Sequence, residues 1–312
     1  MRVVFFGSPE FAVPTLQKVA AAHEVVLVVC QPDRPAGRGR AVTAPAVKTA
    51  ALSLGLAVEQ PLRLKDPELA GRLAALRPDL FVVIAYGRIL PPTLLAVPRL
   101  GPYNVHASLL PRYRGAAPIQ WSIIRGESVS GVAIMQMEEG LDTGPVVALR
   151  EEPITDVDTA GSLAQRLSLI GADLMVETMP RIEAGTIHVT PQEHARATLA
   201  PILTKEDGLL DFRQPARLVS AHARGVDPWP GAMATIDGDV VKLFTPVVVD
   251  GKAANAQPGV ILGLGPKGLE VSCADGVVAF AELQFPGRKR LPASAVLAGR
   301  AIPPGTVAVG KV

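Results

Sequence analysis

Three polar residues have the types and spacing needed for proton transfer beside an oxyanion. Asn104 and His106 lie two residues apart in a short apolar run, so in a strand their side chains point to the same side. An asparagine amide can donate to a developing oxyanion, and an imidazole exchanges a proton near neutral pH. Asp142, in the segment 138–144, would reach the imidazole and fix its tautomer. The trio predicts acyl transfer to an amine without a covalent enzyme intermediate.

Each of these residues also has a purely structural interpretation. A single histidine at a strand end is often a satisfied structural group, Asp142 is by default a turn residue, and Asn104 could cap a turn. Four further histidines have no comparable partners, and we interpret them as surface or linker residues: His23, His188, His194 and His222. Spacing alone makes His106 a candidate and does not establish its chemistry.

The first half of the chain alternates short apolar runs with amphipathic segments. Strands are predicted at Arg2–Phe6, Glu24–Cys30, Leu80–Ala85, Tyr103–Val105, Gly131–Met137 and Pro145–Leu149. Helices are predicted at Pro9–Ala22, Pro45–Leu54, Pro67–Leu76 and Thr159–Ala184. Ser8 is the expected N-cap of the first helix. This order predicts an α/β, doubly wound, mostly parallel sheet, which binds ligands at the carboxyl ends of its strands.

The pattern changes after residue 186. Residues 187–203 contain two prolines and no sustained period, so they are predicted to be a linker. A helix is predicted at Pro215–Arg224. Short apolar runs follow, separated by Gly, Pro and Asp turns, at Ala232–Ile236, Val240–Val249, Gly259–Leu264, Leu269–Ser272 and Val277–Leu283. These runs predict a small OB-like antiparallel β-barrel. The expected division is therefore a catalytic domain at 1–186, a linker at 187–203 and a barrel domain at 204–312.

Composition narrows the class of protein. A chain of 312 residues favours two domains, and a net charge of +2 requires any nucleic acid to be held by a local basic patch. Cys30 and Cys273 have no metal or redox spacing and are predicted to be small core residues in a reducing compartment. The sequence shows no secretory signal and no apolar run long enough to span a membrane, so a cytoplasmic location is expected.

The phosphate-binding motifs of nucleotide enzymes are missing. The turn after the first predicted strand, Gly7–Phe11, has one glycine and a proline, and Glu10 places negative charge where a pyrophosphate would lie. The sequence contains neither GxGxxG there nor a Walker motif. A dehydrogenase or a kinase is therefore disfavoured.

The stretch from residue 104 to residue 144 contains a series of motifs in a fixed order. They are Asn104–Pro111, Arg114-Gly115, Pro118-Ile119, Gly126-Glu127, Gly131-Val132, Met135, Met137 and Leu141–Gly144. This series resembles the signature of the folate-dependent formyltransferase family. The departures are small: Ser8 and Ala133 stand where threonine is expected, and Ala107 where glycine is common. None of them removes a functional group that the chemistry needs.

The resemblance implies direct transfer of the formyl group of 10-formyltetrahydrofolate to an amine, with no metal. It assigns oxyanion stabilisation to Asn104, proton transfer towards the departing N10 to His106, and orientation of His106 to Asp142. It also implies that the folate lies against three segments of the first domain. The residues expected there are Tyr86, Gly87, Leu90, Ser108, Leu109, Leu110, Pro111 and Gly140.

Two features favour tRNA as the acceptor. The loop 31–40 contains Arg34, Arg38 and Arg40 among Pro and Gly residues, and it resembles an insertion in tRNA-acting members of the family. By composition alone it is an ordinary solvated loop. The barrel domain also has basic residues for phosphates: Lys205, Arg213, Arg217, Arg224, Lys242, Arg288, Lys289 and Arg290.

The segment 224–231 likewise resembles the tRNA-acting members. The resemblance then covers essentially the whole chain and implies an enzyme that formylates the methionine on initiator tRNA. We expect the protein to be a monomer. Three alternatives stay open at this point: a sugar-nucleotide formyltransferase, an RNA-binding protein without catalysis, and a dehydrogenase.

Overall fold

The computed structural model describes residues 1–36, 41–249, 251 and 256–311. The chain divides into two compact units. The first unit consists of Met1–Pro118, Ser130–Glu152 and Ala164–Pro201. The second unit consists of Ile119–Val129, Pro153–Leu163 and Ile202–Val312.

A seven-stranded sheet forms the centre of the first unit, and β3 and β4 pair in a separate two-stranded antiparallel sheet. The strands are β1 (Arg2–Gly7), β2 (Glu24–Val29), β3 (Arg34–Ala36), β4 (Ala41–Thr43), β5 (Val58–Glu59), β6 (Leu80–Ile84), β7 (Pro102–His106), β8 (Val129–Gln136) and β9 (Val146–Pro153). The strand order is β5-β2-β1-β6-β7-β8-β9. The first five strands in this order run parallel and β8 runs antiparallel to β7. The predicted mostly parallel α/β sheet is confirmed.

Helices connect the parallel strands, as the βα alternation requires. They are α1 (Val13–Ala22), α2 (Ala46–Ser53), α3 (Pro67–Ala75) and α4 (Pro92–Leu95). Two further helices come later in the chain: α5 (Pro118–Ile124) follows β7, and α6 (Ala160–Glu183) follows β9. All five residues of β6 are buried and apolar, which is typical of a strand that is covered on both faces. His106 stands at the carboxyl end of β7, the strand that pairs with β6.

The start of the first helix differs from the prediction. Ser8 does not cap it, because the chain first makes a 3-10 turn at Glu10–Ala12 and α1 begins only at Val13. The Ser8 hydroxyl instead accepts the backbone N–H of Gln31 at 3.1 Å. A polar residue before a proline therefore ties two loops together here and leaves the helix uncapped by a side chain.

The second unit contains an antiparallel sheet. Its elements are α7 (Ala216–Gly225), β10 (Met233–Ile236), β11 (Asp239–Val248), β12 (Ile261–Gly265), β13 (Gly268–Ser272), β14 (Val277–Gln284), β15 (Leu291–Pro292) and α8 (Ala293–Gly299). The strand order is β10-β11-β14-β13-β12, and β15 pairs with β14. Asp237 and Gly238 both have positive φ, of 49° and 82°, which is the turn chemistry of a tight hairpin between β10 and β11.

The last described residues link the two edges of this sheet. Val309 forms a bridge with Thr235 of β10, and Val307 forms one with Val260, next to β12. The edge strands are thus covered by the chain itself. An antiparallel sheet with its two edges linked in this way agrees with the predicted small antiparallel barrel.

Cys30 and Cys273 are buried free thiols, as predicted for core residues. Burial raises the pKa of Cys30 to about 11 and that of Cys273 to about 12, so neither is an activated nucleophile. In the described part of the chain, every helix is too short or too polar to cross a membrane.

Candidate active site

His106 is the last residue of β7 and only 5% exposed. Its Nε2 lies 2.9 Å from the carbonyl oxygen of Tyr113. A carbonyl can only accept, so Nε2 must carry a proton and donate it, which leaves Nδ1 as the atom that gains and loses a proton. Nδ1 faces Asp142 Oδ2 at 3.6 Å. The sequence suggests Asp142 as the group that fixes the tautomer; in the structure the Tyr113 carbonyl does so, and the carboxylate faces the exchangeable position.

Asp142 is held in place by the backbone around it. Its Oδ2 accepts the N–H of Gly115 at 2.8 Å, and the residue adopts a φ of 52°. Two residues later the chain passes so close to β8 that a Cβ on Gly144 would lie 1.9 Å from the Gln136 carbonyl oxygen. Only glycine fits there, so the turn that presents Asp142 is sterically defined.

Asn104 occupies the middle of β7, opposite Met135 of β8, and is half-buried. Among the described residues its side-chain amide has no hydrogen-bond partner. Asn104 and His106 are alternate residues of one strand and therefore share a face. An amide donor without a partner, two residues from an imidazole, is the arrangement required for an oxyanion that forms beside a proton carrier.

The segment that follows β7 combines buried side chains with a turn. Ser108 is 1% exposed, and its hydroxyl donates to the Arg112 carbonyl at 2.6 Å. Leu110 packs on Ala133 and Met135. Leu109 and Pro111 are half-buried. Residues 108–111 therefore offer backbone and apolar surface to a ligand, and no free charge.

In the segment 85–90 the Tyr86 and Leu90 side chains turn inward, whereas Ile89 is 74% exposed. Tyr86 and Leu90 are each 2% exposed and belong to the core cluster, whereas Gly87 is exposed. The Tyr86 ring meets Phe6 edge-on, with centroids 5.4 Å apart, and burial raises the pKa of Tyr86 to about 12. A ligand at this segment would therefore meet the backbone near Gly87 and not the Tyr86 or Leu90 side chain.

Two buried hydroxyls near these segments lack partners among the described residues: those of Tyr86 and Thr143. The Thr143 Oγ1 lies 2.4 Å from the place where a Cβ on Gly140 would stand, and Gly140 itself is exposed with a φ of 134°. A polar group next to an exposed glycine backbone suits a flat, hydrogen-bonding carrier. Sequence reasoning did not single out Thr143, because its interest comes only from its burial.

The basic residues predicted to bind RNA have very different surroundings. Arg34 in β3, Lys205, Arg288 and Lys289 are exposed. Arg38 and Arg40 lie outside the described residues. Arg224 is 8% exposed and donates to the carbonyls of Thr155 at 3.2 Å and Asp158 at 2.9 Å.

Several of the additional cations are occupied within the second unit. Arg290 pairs with Glu282 and Asp227 and stacks on Phe244, with 4.1 Å from its Cζ to the ring centroid. Arg213 pairs with Asp211 at 2.8 Å. Lys242 donates to the Pro230 carbonyl at 2.6 Å. Arg217 is exposed on α7.

One prediction about the remaining histidines is wrong. The sequence predicts His222 at the surface without a partner, but it is half-buried on α7, and its Nε2 lies 2.6 Å from the Asp207 carbonyl. Burial lowers its pKa below the ordinary value of 6.5. His23 is half-buried, and His188 and His194 are exposed. His194 also has a partner that the sequence does not predict, because its Nδ1 lies 3.2 Å from Arg114 Nη2.

A polar cluster around Gln31 and Asp33 was missed by sequence reasoning. Lys48 donates to both carboxylate oxygens of Asp33, at 2.9 and 2.8 Å, and to Gln60 at 2.8 Å. Gln31 donates through its side chain to the Tyr86 carbonyl at 2.8 Å. The residues are up to 55 positions apart, so no sequence motif announces the cluster.

Known families account for most of the chain. The family model for formyl transferase matches residues 1–179, and that for the formyl transferase C-terminal domain matches residues 202–301. A methionyl-tRNA formyltransferase of Citrifermentans bemidjiense is 46% identical over 306 residues, which cover 98% of this chain and 95% of the relative. The chain belongs to the methionyl-tRNA formyltransferase family.

Solved structures share the fold at lower identity. WlaRD, a sugar 3N-formyl transferase studied with dTDP and 5-N-formyl-THF, matches with a TM-score of 0.69 and 16% identity over 93% of this chain and 99% of its own. HypX from Aquifex aeolicus, in complex with tetrahydrofolic acid, matches with a TM-score of 0.64 and 20% identity. The match covers 97% of this chain and 48% of HypX. At these identities the likeness concerns the fold alone.

Proposed function

We propose that this protein transfers the formyl group of 10-formyltetrahydrofolate to the methionine amine of initiator methionyl-tRNA. The observation that carries the proposal is the His106–Asp142 pair beside the unpartnered amide of Asn104, in a chain of this family. The division into a catalytic domain (1–186), a linker (187–203) and a tRNA-binding domain (204–312) is part of the proposal, as is a cytoplasmic, monomeric protein.

The residues suggest a direct displacement. The neutral amine attacks the formyl carbon, a C–N bond forms, and the carbonyl oxygen becomes an oxyanion to which Asn104 donates. The bond from the formyl carbon to N10 then breaks, and the proton lost by the amine is passed through His106 Nδ1 to N10. Asp142 stabilises the imidazolium that exists between the two proton transfers. No atom of the enzyme is acylated in this sequence.

The folate site is proposed at the three segments around these residues. The support is chemical: backbone at Gly87 and at 108–111, the exposed Gly140, and the unpartnered hydroxyl of Thr143. A pterin presents donors and acceptors at its edge, which a backbone can match without charged side chains. We therefore assign the predicted roles of Tyr86 and Leu90 to their main chains.

For the tRNA, we propose the exposed cations Arg34, Lys205, Arg288 and Lys289, together with Arg38 and Arg40. Exposed arginines and lysines can release counterions from phosphates, so binding should weaken steeply with added salt. Arg224 is left out, since its guanidinium is engaged by two backbone carbonyls.

The test is a formylation assay with charged initiator tRNA and 10-formyltetrahydrofolate as the donor. We expect N-formylmethionyl-tRNA at a rate that depends on both substrates. A parallel reaction with amino-sugar nucleotides distinguishes the related sugar-acting enzymes. Formylation of the sugar and not of the tRNA would show a sugar-nucleotide formyltransferase instead. Tight tRNA binding without formyl transfer would show a non-catalytic RNA-binding protein.

A further inference from the structure

Residues 190–200, here called the strap, are hydrogen-bonded to both sides of the His106–Asp142 pair. They lie between the two regions that the family models match, 1–179 and 202–301. Thr190 forms an antiparallel bridge with Val146, just after the Asp142 loop, and Leu199 forms a parallel bridge with Arg114. A segment that the sequence predicts to be a linker is therefore tied to the candidate active site at two points.

Gln192 connects the strap to the Asp142 loop. Its Nε2 donates to the carbonyls of Asp142 at 2.9 Å and Gly144 at 2.6 Å. Its Oε1 accepts from Arg114 Nε at 3.1 Å and Nη2 at 2.7 Å. Gln192 and Arg114 are only 8% and 7% exposed. The buried guanidinium thus orients the amide, and the amide holds the main chain that presents Asp142.

Thr198 connects the strap to the partner of His106. Its hydroxyl accepts the N–H of Tyr113 at 2.9 Å, and its carbonyl accepts the N–H of Arg114 at 2.8 Å. Tyr113 is the residue whose carbonyl accepts from His106 Nε2. The strap therefore fixes the carbonyl that selects the imidazole tautomer.

Tyr113 and Asp142 both need such support. Their φ angles are 61° and 52°, in a region that L residues adopt at a cost. Such conformations persist only where surrounding contacts hold them. Gln192 and Thr198 supply these contacts from the same segment.

We propose that Gln192 and Thr198 are positioning residues for formyl transfer. Gln192 sets the place of Asp142, and Thr198 sets the ring of His106 through Tyr113. The inference rests on the proposed function, and it adds the strap to the machinery. Because a misplacement of about 1 Å can cost up to ~10²-fold in rate, removal of either hydrogen-bonding group should lower kcat rather than substrate binding.

The first experiment compares Gln192→Met, Gln192→Glu and the control Gln165→Met, which changes an exposed glutamine on α6. Gln192→Glu keeps a partner for Arg114 but loses both donors to the loop. We expect kcat to fall about tenfold in both Gln192 variants, with the KM values for tRNA and folate within about twofold. In Gln192→Glu the loss should shrink as the pH falls, because a protonated carboxyl can donate again.

The second experiment uses Thr198→Val and Thr198→Ser. Valine keeps the shape and removes the acceptor of the Tyr113 N–H, whereas serine retains it. We expect kcat to fall several-fold in Thr198→Val and to return in Thr198→Ser.

A third measurement needs no turnover. Amide hydrogen exchange of residues 140–144 should be faster in Gln192→Met than in the wild type, and unchanged in Gln165→Met. If the wild type formylates tRNA but Gln192→Glu and Thr198→Val keep its kcat, the strap has no positioning role. A rise in KM without a change in kcat also overturns the inference. If the wild type transfers no formyl group, the proposed function fails. The hydrogen-exchange result then decides by itself whether Gln192 holds residues 140–144 in place.

Discussion

Polar side chains around His106 and basic side chains in the second unit differ in how firmly they are held and how accessible they are. Around His106, a backbone group sets the orientation of the imidazole, through the Tyr113 carbonyl, and of Asp142, through the Gly115 N–H, whereas the Asn104 amide has no partner among the described residues. In the second unit the cations are either exposed, as Lys289 is, or occupied by structural contacts, as Arg224 is. Proton transfer needs a fixed position, whereas phosphate binding needs access to the phosphate.

The comparison explains where residue types mislead. Arg224, which the sequence assigns to phosphate binding, is a structural group because burial directs its Nη1 at two backbone carbonyls. Gln192, in a segment that the sequence predicts to be a linker, likewise takes its role from its hydrogen-bond partners, the carbonyls of Asp142 and Gly144. Four sets of substitutions test this contrast.

The largest effect is expected for His106→Ala. Without the imidazole no group returns the proton to N10, so kcat should fall at least ~10²-fold while both KM values change little. Formylation kinetics measure this, with the exposed His188→Ala as the matched control. Near wild-type turnover in His106→Ala would remove the imidazole from the mechanism.

Arg224→Met comes next and should affect stability. The variant leaves the Thr155 and Asp158 carbonyls without a charged donor, which lowers the free energy of unfolding by about 1.5–3 kcal/mol. Urea denaturation measures it, with Arg217→Met, exposed on the same helix, as the control. Unchanged stability with weaker tRNA binding would instead restore Arg224 to the RNA-binding set.

The double variant Arg288→Ala, Lys289→Ala should change RNA binding alone. Both side chains are exposed, so we expect a several-fold higher KM for tRNA and a salt dependence flatter by about 0.7–0.9 for each phosphate that is no longer neutralised. Filter binding at several salt concentrations gives the slope, and kcat should stay unchanged. An unaltered slope would mean that these cations contact no phosphate.

The smallest effect concerns His222 and pH. Because burial lowers its pKa, the folded state favours the neutral ring; the stability this provides is present above the ordinary value of 6.5 and is lost as the pH falls below it. The slope is at most about 1.36 kcal/mol per pH unit. Urea midpoints between pH 7 and pH 5 should fall less steeply in His222→Gln than in the wild type. Parallel curves would assign the acid sensitivity to other groups, such as Asp211, whose pKa is lowered by its hydrogen bond to Arg213.

Local patterns in the sequence predicted much of this protein. Apolar runs of the right length identify buried strands such as β6, and Asp237-Gly238 marks a hairpin turn, because both signals depend on neighbours in the chain. The motif around Asn104 and His106 is also a local run of residues, so its resemblance to the formyltransferase signature is visible in the sequence. A short strand fixes which side chains share its face.

The tertiary structure alone decided which partners these groups have. The Tyr113 carbonyl selects the tautomer of His106, Gln192 reaches Asp142 across 50 positions, and Arg224 is enclosed by carbonyls 66 and 69 positions away. Such contacts depend on how distant segments pack, and a buried polar group takes whatever partner packing brings to it. Residue type therefore indicated the chemistry, and packing determined which of these residues are available to carry it out.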